Sequence, residues 1–283
     1  AEYRAARSGP HRWMLGRFIV TASRLEDLGG KLMASMKAGE EPWAVSAILD
    51  GDVAAASVQV RAFDAEMEPG AQVALLEVPL AAETSDGRSR SDAFEAARPT
   101  VTAALTASAV ATPFFEVRRT AGWQPGVANA LAALADHRDQ AHRPIGAKLR
   151  CGGVAPEAFP DPEQVAEFIC EATSNRLPFK ATAGLHHPVR HFDEELAVHR
   201  HGFLNLLMAG ALARRGEGRY EIIAVIGEVD QSNFGLSAAG FTWKDHTIRV
   251  GELSASRAQF AAYGSCSFRE PIEDLVELGM IKI

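Results

Sequence analysis

The sequence predicts an α/β protein on a parallel sheet, a (β/α)8 TIM-like barrel that turns irregular in its last quarter. Two observations carry this expectation. Short apolar runs start near residues 12, 43, 72, 112, 145 and 178, a recurrence of roughly thirty to forty residues, which is the length of a βα unit. Between the runs lie helix-period stretches and no hairpin signals, as expected of parallel strands joined by helical crossovers. A chain of 283 residues suits one such barrel, typically about 250 residues long, so a single domain over residues 1–283 is expected. The rival architecture is an open doubly wound parallel sheet. Neither GxGxxG nor GxxxxGKS/T follows any of the runs, so the rival lacks the glycine loop with which nucleotide-binding versions cradle phosphate.

The elements follow in order. Residues 12–20 (RWMLGRFIV) read as the first strand. Ser23 then offers an N-cap with Glu26 at the capping-box position, and Leu25, Leu28, Leu32, Met33 and Met36 share one helical face weakened by Gly29 and Gly30. Residues 43–50 (WAVSAILD) form the second strand, 53–67 an Ala-rich helix, and 72–80 (QVALLEVPL) the third strand, with Glu77 near its end. A polar loop over 83–92 leads to a helix from about Ala93, bent at Pro99. Residues 112–117 (TPFFEV) are the fourth strand, with Glu116 close to its end, and Val127, Leu131 and Leu134 make the stripe of the next helix.

Residues 145–151 are the fifth strand. Asp161-Pro162-Glu163-Gln164 is a strong helix start, with Val165, Phe168, Ile169 and Ala172 on the buried face. The sixth strand covers 178–184, and a His-rich polar loop spans 185–202. A helix occupies 203–214. The apolar run 220–229 (YEIIAVIGEV) fits a buried strand or a helix equally, since a short run does not fix its period. Residues 241–250 (FTWKDHTIRV) alternate like a strand or small hairpin, and 260–267 (FAAYGSCS) offer a last strand. Glu270-Pro271 starts a helix with Ile272, Leu275 and Val276 on one face. The barrel's two remaining strands must come from this quarter.

Composition narrows the function classes. With 47% hydrophobic and 23% charged residues the chain has the profile of a soluble globular protein. A net charge of −7 argues against nucleic acid or an anionic membrane as partner, and no run approaches membrane-spanning length. Cys151, Cys170 and Cys266 are widely spaced and form no CxxC pair, so neither a disulfide framework nor a cysteine-rich zinc site is indicated. A cytoplasmic protein is expected; homo-oligomerisation is left open.

Residues near the C-terminal ends of barrel strands converge on one mouth. Here they are Arg17, Asp50, Glu77, Glu116, Lys148 with Arg150, Lys180 with Thr182, and Ser265 with Cys266. One reading makes them ion pairs that close the barrel. The other makes them a site, because charges at strand ends are costly to bury and a barrel interior is filled well by branched aliphatics. Alternate strand residues share a face, so Lys148 and Arg150 project together. A lysine desolvated beside other cations loses proton affinity, and a neutral amine can add to a carbonyl to form a Schiff base. Lys180 is the sharpest candidate for that role.

The paired stretches KLRCGG (148–153) and FKATAG (179–184) resemble, over these few residues, strands five and six of class I aldolases. The resemblance implies a barrel with a Schiff-base lysine, and places that lysine at Lys180.

Five of the nine histidines (His186, His187, His191, His199 and His201) fall within sixteen residues. His186 and His187 follow the sixth strand directly, where either could act as general acid or base. His187 with His191, or His186 with a strand-end carboxylate, could instead hold a divalent metal, although HExxH is absent. The GSCSF loop precedes a helix N-terminus, where Gly264 and Ser265 could bind an anion through backbone N–H groups or simply make a tight turn. Cys266 as nucleophile would need a base that the sequence does not place; Cys170 reads as core.

The expected function is therefore an enzyme acting on a small anionic or carbonyl-bearing metabolite by lyase or aldolase-type chemistry. Lys180 would serve as amine, Lys148, Arg150, Arg17 and Thr182 would hold the anion, and Glu77, Glu116, His186 or His187 would transfer protons. No cofactor is required in this reading. A metal-assisted hydrolase or isomerase using the histidines and carboxylates is the alternative, and a non-catalytic ligand-binding barrel a further one.

Overall fold

The computed structural model describes residues 2–37, 39–86, 89–121 and 123–282. In chain order the elements are α1 (Glu2–Arg7), β1 (Phe18–Thr21), α2 (Leu25–Met33), β2 (Trp43–Ile48), α3 (Val53–Met67), β3 (Ala71–Pro79), α4 (Arg90–Ala107), β4 (Thr112–Glu116), α5 (Trp123–Ala141), β5 (Gly146–Arg150), α6 (Pro162–Ser174) and β6 (Phe179–Thr182). Then come β7 (His191–Asp193), β8 (Val198–Arg200), α7 (Phe203–Arg215), α8 (Arg219–Gly227), β9 (Phe234–Ser237), β10 (Gly240–Trp243), β11 (His246–Arg249), α9 (Val250–Gln259), β12 (Phe260–Tyr263) and α10 (Arg269–Glu277). The chain divides into two compact units, Met14–Gly146 on one side and Ala1–Trp13 with Ala147–Ile283 on the other.

In the unit of residues 14–146, β1, β2, β3 and β4 pair in parallel in that order. Val45, Ala47, Val73, Leu75, Leu76 and Val78 are all buried, so these strands read as continuous apolar runs with both faces covered. Asp52 caps α3 through Ala55 N (2.8 Å), and Asp64 ties that helix to β3 by accepting from Val73 N (2.7 Å). The first strand is shorter and later than expected. Residues 12–14 form a 3-10 turn and β1 begins only at Phe18, because the run is interrupted at Gly16. Ser23 does not cap a helix either: its N and Oγ both donate to Asp50, at 3.1 and 2.6 Å. Burial would raise the Asp50 pKa, but these bonds hold it below the usual carboxylate range. Within the loop expected over 83–92, Ala82–Ser85 make a 3-10 turn, and residues 87 and 88 lie outside the described residues.

In the other unit, β5, β6 and β12 pair in parallel in that order. The capping box at α6 is formed as the sequence implied, with Asp161 Oδ1 accepting from Gln164 N at 2.7 Å and Gln164 Oε1 accepting from Asp161 N at 3.1 Å. Phe179 stacks on Phe260 and meets Phe168 of α6 edge-on. The ambiguous run 220–229 is helical. In α8 the buried residues are Ile222, Val225 and Ile226, the i, i+3, i+4 spacing of one helix face, while Tyr220 is exposed. FTWKDHTIRV is the β10–β11 hairpin, extended by β9 into a three-stranded antiparallel sheet. Among the described residues, seven strands in the two units run in parallel ladders, four and three, against the eight expected. The crossover from β6 to β12 carries α7, α8, the antiparallel sheet and α9 where a further barrel strand was anticipated.

The expected loop over 185–202 contains the antiparallel pair β7–β8, with His191 opposite Arg200 and Phe192 opposite His199. It is anchored from below by Asn205 of α7, which is fully buried. Asn205 Oδ1 accepts from Arg190 N (2.9 Å), and its Nδ2 donates to Val225 O and Glu228 O (both 2.8 Å). At the start of α7 only glycine fits: a Cβ on Gly202 would collide with Pro188 O and Asn205 Oδ1. No helix among the described residues is long and apolar enough to cross a membrane.

Glu228 gathers the end of α8 and the antiparallel sheet. Its carboxylate accepts from Lys244 Nζ (2.9 Å), Asn233 Nδ2 (2.9 Å), Trp243 Nε1 (3.3 Å) and Asp230 N (3.0 Å). Burial opposes its charge, but the Lys244 pair and the donated N–H groups overcome that, and the pKa falls from 4.5 to about 2. A depressed carboxylate stabilises the fold above its unfolded pKa, and that contribution is lost as pH falls through the folded value. Melting temperature should therefore drop between about pH 4.5 and 2, and Glu228→Gln should flatten that slope in melts run across the window.

Candidate functional site

In the β5–β6–β12 ladder, Lys148 lies opposite Lys180, Arg150 opposite Thr182, and Ala262 opposite Lys180. Directly paired residues of parallel strands share a face, so the two lysines project from neighbouring strands about 4.8 Å apart. Lys148 is 5% exposed and Lys180 2%. Both lysines engage further groups. Arg150 on the same face is exposed, its Nε donating to Gly152 O at 3.0 Å, and Thr182 is half-buried. The interleaved residues make the other face. There Tyr263 stacks on Phe203 of α7 at 4.8 Å, and burial pushes its pKa up to about 12, so its hydroxyl keeps its proton.

Past β6 the chain turns through two left-handed residues, Ala183 (φ +64) and Gly184 (φ +76), into the segment that carries His186 and His187. Both histidines reach α10. His186 Nδ1 lies 2.8 Å from Glu270 Oε2, and His187 Nδ1 lies 2.6 Å from Asp274 Oδ2. Adjacent side chains of a straight strand would point apart; here the backbone bends at His187, and the two carboxylates sit one helical turn apart on one face. The GSCSF loop leaves β12 at the same edge, with Gly264 N donating to Ala181 O at 2.9 Å. Ser265 Oγ donates to Ser267 O (2.7 Å) and lies 3.5 Å from His186 Nδ1. Cys266 Sγ lies 3.5 Å from His186 Nε2. His186 is thus the imidazole beside Cys266, a neighbour that the sequence could not place.

The remaining histidines have local roles. His191 packs edge-on against His187 at 4.4 Å, and desolvation, with His187 and Arg200 nearby, lowers its pKa. His199 lies against Phe192, and buried His201 bonds Pro160 O at 2.7 Å. Among the described residues no group of three or more His, Cys, Asp or Glu is placed to hold a metal ion.

Glu77 and Glu116 belong to the other unit. Glu77 pairs with Phe114, and Pro79 with Glu116, which puts both carboxylates on one face of that ladder. Glu77 is 1% exposed and accepts from Ser46 Oγ at 2.9 Å; Glu116 closes β4. Arg17 is a correction. It precedes β1 and is exposed, at the N-terminal rather than the C-terminal end of its strand, because the expected strand was drawn across Gly16. Asn205 and Glu270 were missed by the sequence reading. An asparagine inside the apolar run FLNLLMAGAL was the available signal for the first; nothing local pointed to Glu270 as a histidine partner.

No protein-family model matches this chain, and no curated protein matches it by sequence.

Proposed function

We propose that the chain is an enzyme acting on a small anionic or carbonyl-bearing metabolite by lyase or aldolase-type chemistry, with a barrel-like (β/α) architecture and a cytoplasmic setting. The observation that carries this reading is the pair Lys148 and Lys180, both almost fully buried on directly opposed positions of β5 and β6. Buried lysines are uncommon and each needs groups that meet its charge, so two at adjacent strand positions mark a polar cluster inside the protein. In this reading Lys180 supplies the amine and Lys148 the neighbouring cation. In this scheme the Lys180 amine adds to the carbonyl carbon, and the carbinolamine takes up a proton and loses water, giving an iminium. Arg150 at the strand exit holds the substrate's anionic group, and His187, oriented by Asp274, moves protons. Sodium borohydride with pyruvate as the probe tests the reading, since hydride reduces the iminium to a stable secondary amine. An adduct on Lys180 supports it. Failure of pyruvate and a panel of small aldehydes and 2-oxo acids to label Lys180 overturns it.

A further inference from the structure

We propose that Cys266, His186 and Glu270 form a second nucleophilic centre, a thiol site that accepts the acyl group of a small ester or thioester. It stands on its own geometry, not on the lysine reading. The three groups come from three separate places in one unit: the loop after β12, the segment after β6, and the first turn of α10. Glu270 Oε2 sits 2.8 Å from His186 Nδ1, which assigns the ring proton to Nδ1 and leaves Nε2 as the acceptor. That nitrogen is 3.5 Å from Cys266 Sγ. A nucleophile within reach of a base that a third group orients is the general signature of covalent catalysis.

The sulfur is also 3.9 Å from Nδ1, so it rests beside the ring rather than in line with the Nε2 lone pair. Cys266 is exposed, and its single side-chain torsion is free to bring Sγ into line when a substrate binds; such bonds are often loose before that. The imidazole itself is 18% exposed, held between the Ser265–Cys266 loop and α10. α10 begins at Arg269, three residues beyond Cys266.

In the reaction, Sγ adds to the acyl carbon while its proton passes to His186 Nε2. The tetrahedral adduct then expels the alcohol or thiol, which takes that proton back. Water cleaves the resulting thioester, its proton passing through His186, to release the acid and restore the thiol. Cys266 and His186 are catalytic residues here, and Glu270 is a positioning residue.

The test uses the full chain with 4-nitrophenyl acetate and, separately, iodoacetamide. Cys151 is buried, and burial raises the pKa of the Cys170 thiol, so both serve as internal controls. The expected result is acetylation mapped to Cys266, abolished in Cys266→Ser. His186→Ala should slow it by about 100-fold, the scale of general-base catalysis, with added imidazole restoring part of the rate, which a merely structural histidine would not show. Glu270→Gln, at a half-exposed position, gives a second variant should His186→Ala fail to fold, and should lower kcat with little change in KM. Cys266 reacting no faster than glutathione at the same pH would overturn the proposal, as would an acetylation rate untouched by both variants. An adduct on Cys266 and an adduct on Lys180 differ in address, so the two readings fail separately.

Discussion

Lys180→Met should keep the fold and lose the function. Met matches the length of Lys, is apolar, and fills a buried strand position without a cavity. Lys180 loses its own partners on substitution, while Lys148, opposed to it in the ladder, stays in place. The account predicts a melting temperature within about 2 °C of wild type, together with loss of carbonyl labelling and of substrate turnover. Were Lys180 only half of a structural ion pair, its removal would strand a buried carboxylate at a cost of about 3–5 kcal/mol. In a chain of this size that is roughly 5–8 °C. Lys148→Met is the comparison. A large fall in melting temperature with labelling retained at another residue would return Lys180 to the structural frame.

The second large effect is on stability. Asn205→Ala removes three hydrogen bonds inside a fully buried position. It takes the side-chain partner from Arg190 N and Glu228 O and leaves Val225 O with only the Glu228 N–H at 3.4 Å; an unsatisfied buried group costs about 1–3 kcal/mol. A loss of about 3–5 kcal/mol is expected, read as a fall of roughly 5–8 °C. Because Arg190 N closes the segment that carries His186 and His187, hydrogen exchange over residues 185–202 should rise in the same variant. A melt shifted by less than about 2 °C would contradict the anchoring role assigned to Asn205.

What was legible in the sequence was whatever short-range pattern decides. The parallel class followed from continuous apolar runs, because strands covered on both faces need no polar alternation. Parity placed Lys148 with Arg150 and Lys180 with Thr182, and the observed register brings those faces together. The Asp161–Gln164 capping box is local by construction. The failures are of another kind. Residues 220–229 lack polar positions that would fix a period, so α8 was undecidable until its packing was seen. Gly16 cut a run that hydropathy alone joins, and moved Arg17 to the wrong end. The partners of His186 and His187 lie more than eighty residues away on α10, and their pairing depends on how β6 and β12 meet. Only a polar loop was expected over 185–202; the alternation of HFD and VHR around a turn was enough for a short hairpin.

The most direct measurement is the tryptic map of protein reduced with borohydride in the presence of pyruvate. A modified lysine resists trypsin, so labelled protein should yield the peptide 177–190 with Lys180 uncleaved and carrying one reduced pyruvyl group. The account predicts that this peptide dominates the labelled material and is absent when borohydride is added without pyruvate. Label spread over exposed lysines such as Lys31 and Lys244, with Lys180 cleaved normally, would contradict it.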